Sequence, residues 1–193
     1  HPNGTSTLCH VDACINVGVS SSGAGKIMDV FNPLGMAWGT DSHAFSQMAE
    51  EYFNDTIAGQ QILDPDSDCQ LNYIIVIGDG AMTNTGVLGA GGQTAARMQR
   101  LREKGVKSLY VAYGGGITGD NLQRFHELAR IGSSTLTAAT AQECIDDDDC
   151  ERAIVALTPE DLKTALTAKI RQIIADRLAF TAPSITAVSY THL

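Results

Sequence analysis

Residues 73–77 (YIIVI) are apolar on both sides of the chain, without the alternation of a half-solvated strand, which predicts a central strand of a covered parallel sheet. Upstream, residues 14–20 (CINVGVS) and 26–31 (KIMDVF) flank a Gly/Ser turn and predict a two-stranded hairpin. Asp41 is a plausible N-cap for a helix in which Phe45, Met48, Ala49, Tyr52 and Phe53 fall at i, i+3, i+4, i+7 and i+8. Beyond the central strand a Gly-rich loop leads into a helix through Ala95, Ala96, Met98 and Leu101, ended by Gly105. A strand over 108–113 (SLYVAY) runs into GGG, and a helix over 121–130 carries Leu122, Phe125, Leu128 and Ala129 before Gly132 stops it. A short strand near 134–137 is predicted as the sheet edge.

At Thr158-Pro159-Glu160-Asp161 a Thr cap, a Pro at the first helical position and an acid three residues after the cap agree on a helix start. That helix aligns Leu162, Ala165, Leu166, Ile170, Ile173, Ile174 and Leu178. Strands and helices in alternation predict an α/β fold with a mostly parallel sheet. Ligands of such sheets sit at the carboxyl ends of the strands.

With 193 residues, 44% of them hydrophobic, the chain can bury one domain core. A net charge of -9 disfavours nucleic acid and anionic membrane surfaces, which need clustered Lys and Arg, and suits a cation. No apolar run approaches the roughly 20 residues of a membrane span. The five cysteines include two local pairs, Cys9 with Cys14 and Cys144 with Cys150, without zinc or redox spacing. Disulfides in an oxidising compartment are expected, with free thiols as the alternative and Cys69 left over.

Few sites survive inspection. SSSGAGK lacks the Gly at 20 and the Ser or Thr at 27 of a phosphate loop, having Ser20 and Ile27. Asp64, Asp66 and Asp68 have calcium-loop spacing, but Cys69 and Ile75 stand where Gly and Glu belong. Asp146 to Asp149 read as a solvated loop, and His43 and His126 as helix residues without ligand partners. Asp79 differs. It follows the central strand between Gly78 and Gly80, where the sheet offers a crevice, and a hard cation would take its oxygen. Thr40, in the loop before the first long helix, is a candidate second ligand. A turn-capping carboxylate is the competing reading.

The hairpin INVGVSSSGAGKIMDVF, the Gly39-Thr40 pair before a helix ending EEYF, the segment CQLNYIIVIGDG and the late LAFTAPSIT occur in an order that resembles the von Willebrand factor A-type domain. The closer resemblance is to the domain near the N-terminus of PilY/PilC type IV pilus tip proteins, and it spans about residues 9 to 187. It implies a Rossmann-like three-layer sandwich with one antiparallel edge hairpin, whose first, central strand would precede His1. The partial domain is expected over 1–180, the start of a linker over 181–187, and adapter-derived translation (VSYTHL) over 188–193.

The same resemblance implies a metal-ion-dependent adhesion site holding Mg²⁺ or Ca²⁺, with Asp79 and Thr40 as ligands. Asp41 stands where the family usually has Pro, so Asp41 and Ser42 are possible ligands or supports. Gly78 stands where the family commonly has Thr, and the family's D-x-S-x-S run is absent from this sequence. Implied partners are a protein or surface ligand offering an acidic or other oxygen group, and the minor pilins or pilus machinery, at the cell surface. Non-catalytic adhesion is therefore expected. The alternative is a metal-dependent phosphatase-like hydrolase, since IGDGAMTNTG also resembles the opening strand and loop of alkaline phosphatases. After Asp79 the chain has only His126 and His192 as histidines for the multi-metal cluster that chemistry needs.

Overall fold

The structure, a computed structural model, describes residues 21–31, 40–54, 63, 71–83, 93–133 and 151–181. In chain order these form α1 (Gly23–Phe31), β1 (Thr40–Asp41), α2 (Ser42–Phe53), β2 (Asn72–Gly78), β3 (Met82–Thr83) and α3 (Thr94–Glu103). They continue with β4 (Val106–Tyr113), α4 (Gly119–Gly132), β5 (Ile154–Ala156) and α5 (Pro159–Thr181). The fold is α/β. A three-stranded sheet has the order β2-β4-β5, and β1 and β3 form a separate two-stranded ribbon. All strand pairs among the described residues are parallel.

The expected hairpin is corrected. Residues 26–31 lie in helix α1 rather than a strand. The sequence explains this: Ala24, Ile27, Met28 and Phe31 recur at i, i+3, i+4 and i+7, a helical spacing, whereas the adjacent pairs Ile27-Met28 and Val30-Phe31 break strand alternation. The other expected arm, 14–20, and the edge strand expected near 134–137 lie outside the described residues. Beside β4 runs β5, only three residues long, too short for periodicity to announce it.

β2 and β4 pair over seven positions, from Asn72 with Val106 to Gly78 with Ala112. Ile74 and Val76 on one face of β2 join Val106, Tyr110 and Ala112 of β4 against α3 and α4, where Met98, Leu101, Phe125, Leu128 and Ala129 are buried. Complete burial of a side chain such as Phe125 or Leu128 stabilises the fold by about 1.5–3 kcal/mol. Helix α5 contacts β5. Burial first, then Glu151 and then Asp176 of α5, raise the pKa of the Tyr73 phenol, on the opposite face of β2, above its ordinary value. Helices therefore lie on both faces. Coverage stops at β2, whose Ile75 and Ile77 are 43% and 50% exposed.

The helix ends follow the sequence closely. Thr158 N–H donates to Asp161 Oδ2 at 2.9 Å and Asp161 N–H to Thr158 Oγ1 at 3.2 Å, the reciprocal cap expected for α5. Gly105, with φ of 82°, closes α3 by donating to the Arg102 carbonyl. Gly132 ends α4 where the sequence predicts, and it also serves packing. A Cβ there would fall 1.6 Å from Ser108 Oγ, so its missing side chain lets the helix lie against β4. Gly132→Ala should destabilise the domain by about 1–3 kcal/mol through overpacking. Denaturant unfolding is expected to show that loss, and a smaller one when Ser108→Ala is also present.

Candidate metal-binding site

Asp79 directly follows β2, at its carboxyl end, and is exposed. The glycine before it is fully packed. A Cβ on Gly78 would lie 2.9 Å from Phe125 Cζ and 3.3 Å from Met82 Cε, so the ring and thioether fill the space that a Thr would occupy. The Asp79 turn is thereby seated on the core through Phe125 and Met82 rather than through a side chain of its own.

The chain then forms β3, which pairs in parallel with β1, Thr40 opposite Met82 and Asp41 opposite Thr83. This pairing joins the loop that carries Asp79 to the segment that carries Thr40, Asp41 and Ser42, although some forty residues separate them. Each residue of that segment has a distinct setting. The Thr40 backbone is in β1. The exposed Asp41 caps α2, its Oδ1 accepting from His43 N–H at 3.0 Å, as the sequence predicts. Ser42 is completely buried and its hydroxyl donates to the Thr83 carbonyl.

A buried polar cluster surrounds Ser42. Thr94 Oγ1 donates to Ser42 Oγ at 3.1 Å, and Ser46 Oγ donates to the His43 carbonyl at 3.1 Å while lying 3.4 Å from Thr94 Oγ1. All three hydroxyl residues are 0% exposed. From the far side Arg124 of α4 donates to the Met82 carbonyl at 3.0 Å. Both β3 carbonyls thus receive a side-chain donor. Beside the cluster Arg97 Nη1 lies 2.7 Å from His43 Nδ1, and since a guanidinium can only donate, Nδ1 is the acceptor and Nε2 carries the proton. Arg97 Nε lies 3.4 Å from Glu50 Oε2, and Glu50 also takes two hydrogen bonds from Arg100. The Arg100 bonds, working against burial, hold the Glu50 carboxyl below its ordinary pKa.

The sequence indicates Asp79, Thr40, Asp41 and Ser42, and backbone pairing brings their two segments together. It does not indicate the roles of Ser46, Thr94 and Arg124. One signal was present: Ser42 and Ser46 stand four apart, on the same face of α2 as Phe45, Ala49 and Phe53, so the buried stripe contains hydroxyls. Cys9, Cys14, Cys69, Cys144 and Cys150, the three aspartates at 64, 66 and 68, and Asp146 to Asp149 lie outside the described residues. Among the described residues no group of three or more His, Cys, Asp or Glu side chains is arranged to hold a metal, and no helix is long and apolar enough to cross a membrane. No protein-family model, curated protein or solved structure matches the chain.

His126, half-buried on α4, has its pKa lowered, first by burial and then by Arg152. A base with a depressed folded-state pKa binds its proton better when unfolded, so stability falls as pH drops from about 6.5 toward the lowered value. His126→Gln should flatten that part of the stability profile, as measured by thermal unfolding between pH 7.5 and 5.

Proposed function

We propose that this chain is a cation-dependent binding module of the von Willebrand factor A type, acting as the adhesive domain of a pilus-tip protein. The observation that carries the reading is the parallel pairing of β1 with β3, which joins the Thr40 segment to the loop of the exposed Asp79 at the carboxyl end of β2. Ligand crevices of parallel α/β sheets lie there. A second support is the uncovered side of β2. β4 is its only partner strand among the described residues, and a further central strand beside it would shield Ile75 and Ile77.

The donor chemistry fits a hard cation. Carboxylate and hydroxyl oxygens suit Mg²⁺ or Ca²⁺, whereas zinc is held mainly by imidazole and thiolate. Asp79 supplies a charge open to solvent, and Thr40, with Asp41 beside it, supplies the oxygen side chains of the facing segment. When bound, the cation would offer an open coordination position to an oxygen of the partner, a protein or surface acidic group. The protein's own contribution is positional. Asp79 is set on a turn backed by Phe125, and Ser42 spends its hydroxyl on the Thr83 carbonyl, so its part is to support the loop rather than to coordinate. With no D-x-S-x-S run in the sequence the oxygen set is small, and weak binding by the 193-residue chain follows.

Weak binding calls for a sensitive probe. Titration of the chain with Mn²⁺ should broaden the amide resonances of Asp79 to Thr83 and of Thr40 to Ser42 first. Asp79→Ala should weaken that effect about tenfold or more, as loss of a charged ligand implies, and leave the melting temperature little changed. Broadening centred on Asp146 to Asp149 instead, or unfolding of Asp79→Ala, would overturn the assignment, the latter in favour of a turn-capping carboxylate.

A further inference from the structure

The direction of each hydrogen bond in the Ser42 cluster is fixed by chemistry. A carbonyl only accepts, so Ser42 must spend its one proton on Thr83, and its oxygen is then left to accept from Thr94. Thr94 is the first residue of α3, completely buried, and distant in sequence from Ser42. Both residues are 0% exposed, and a buried acceptor or donor left without a partner is costly.

We propose that Thr94 is a positioning residue for the Asp79 loop. Its hydroxyl orients Ser42 toward β3, so the start of α3 fixes the ribbon on which the facing segments meet. The relay runs Thr94 Oγ1 to Ser42 Oγ to the Thr83 carbonyl, and Arg124 holds the adjoining Met82 carbonyl from α4. With both carbonyls held, the Asp79 turn has one seating. Without Thr94 the Ser42 hydroxyl is free to turn to another acceptor, and the β1–β3 ribbon keeps one anchor of two. The functional meaning of the relay rests on the cation reading above; its geometry does not.

Hydrogen exchange on the 193-residue chain without added metal tests it. Thr94→Val, which keeps the shape and removes the donor, should speed exchange at the amides of Asp41, Ser42, Met82 and Thr83 by about tenfold, the scale of one buried hydrogen bond. Amides in β4 and α4 should be unaffected, and Thr94→Ser, which restores the donor, should return the slow rates. Unchanged ribbon exchange in Thr94→Val, failure of Thr94→Ser to rescue it, or equal acceleration throughout the molecule overturns the proposal. A parallel Mn²⁺ titration separates the two ideas. If the wild-type chain shows no localised broadening while the ribbon exchange responds as expected, the relay stands and the cation reading fails.

Discussion

A hydrogen bond from the completely buried Ser42 hydroxyl to the Thr83 carbonyl ties the start of α2 to the strand that follows the Asp79 turn. The arrangement at the carboxyl end of β2 depends on it. Two-residue strands such as β1 and β3 have little pairing of their own, and short ribbons are marginal unless packed against something. Here the packing is apolar through Met82 and polar through the hydroxyl cluster. Ser42 accepts from Thr94 and donates to the Thr83 carbonyl, and Ser46 donates to the His43 carbonyl, a set of directed bonds that favours one geometry.

Beneath this network the apolar core sets the stage. The seven-position pairing of β2 with β4 fixes where β2 ends, and Phe125 with Met82 fills the space over Gly78. Asp79 is consequently exposed at the end of a strand that is otherwise core on one face. Further along α2, Glu50 bridges to Arg97 and Arg100 of α3 and ties the two helices together. A partly exposed ion pair contributes only about 0–1 kcal/mol.

Much of this was legible in the sequence where the signal was periodic or local. The two-sided apolar run of 73–77, the reciprocal cap at Thr158 and Asp161, the Asp41 cap and the Gly105 stop all reflect interactions within a few residues of one another. The failures are long-range or short-lived in sequence. Residues 26–31 were open to a strand reading because the window is only six residues long, and the helical spacing emerges only when Ala24 is included. Gly132 ends α4 as read from the sequence, but its further role against Ser108 lies across the layer and leaves no local signal. The ribbon that joins Thr40 to Met82 has no periodic signature, since two residues cannot show one. The need for Gly at position 78 is visible only in three dimensions, in the ring of Phe125.

The account turns on whether the Thr40 segment and the loop after β2 meet as parallel strands. Cross-strand nuclear Overhauser effects in the 193-residue chain measure this directly. Backbone contacts between Thr40–Asp41 and Met82–Thr83, in the register that sets Thr40 opposite Met82, are the predicted result. Absence of those contacts, or a register that sets Asp41 or Ser42 opposite Met82 instead, would contradict it.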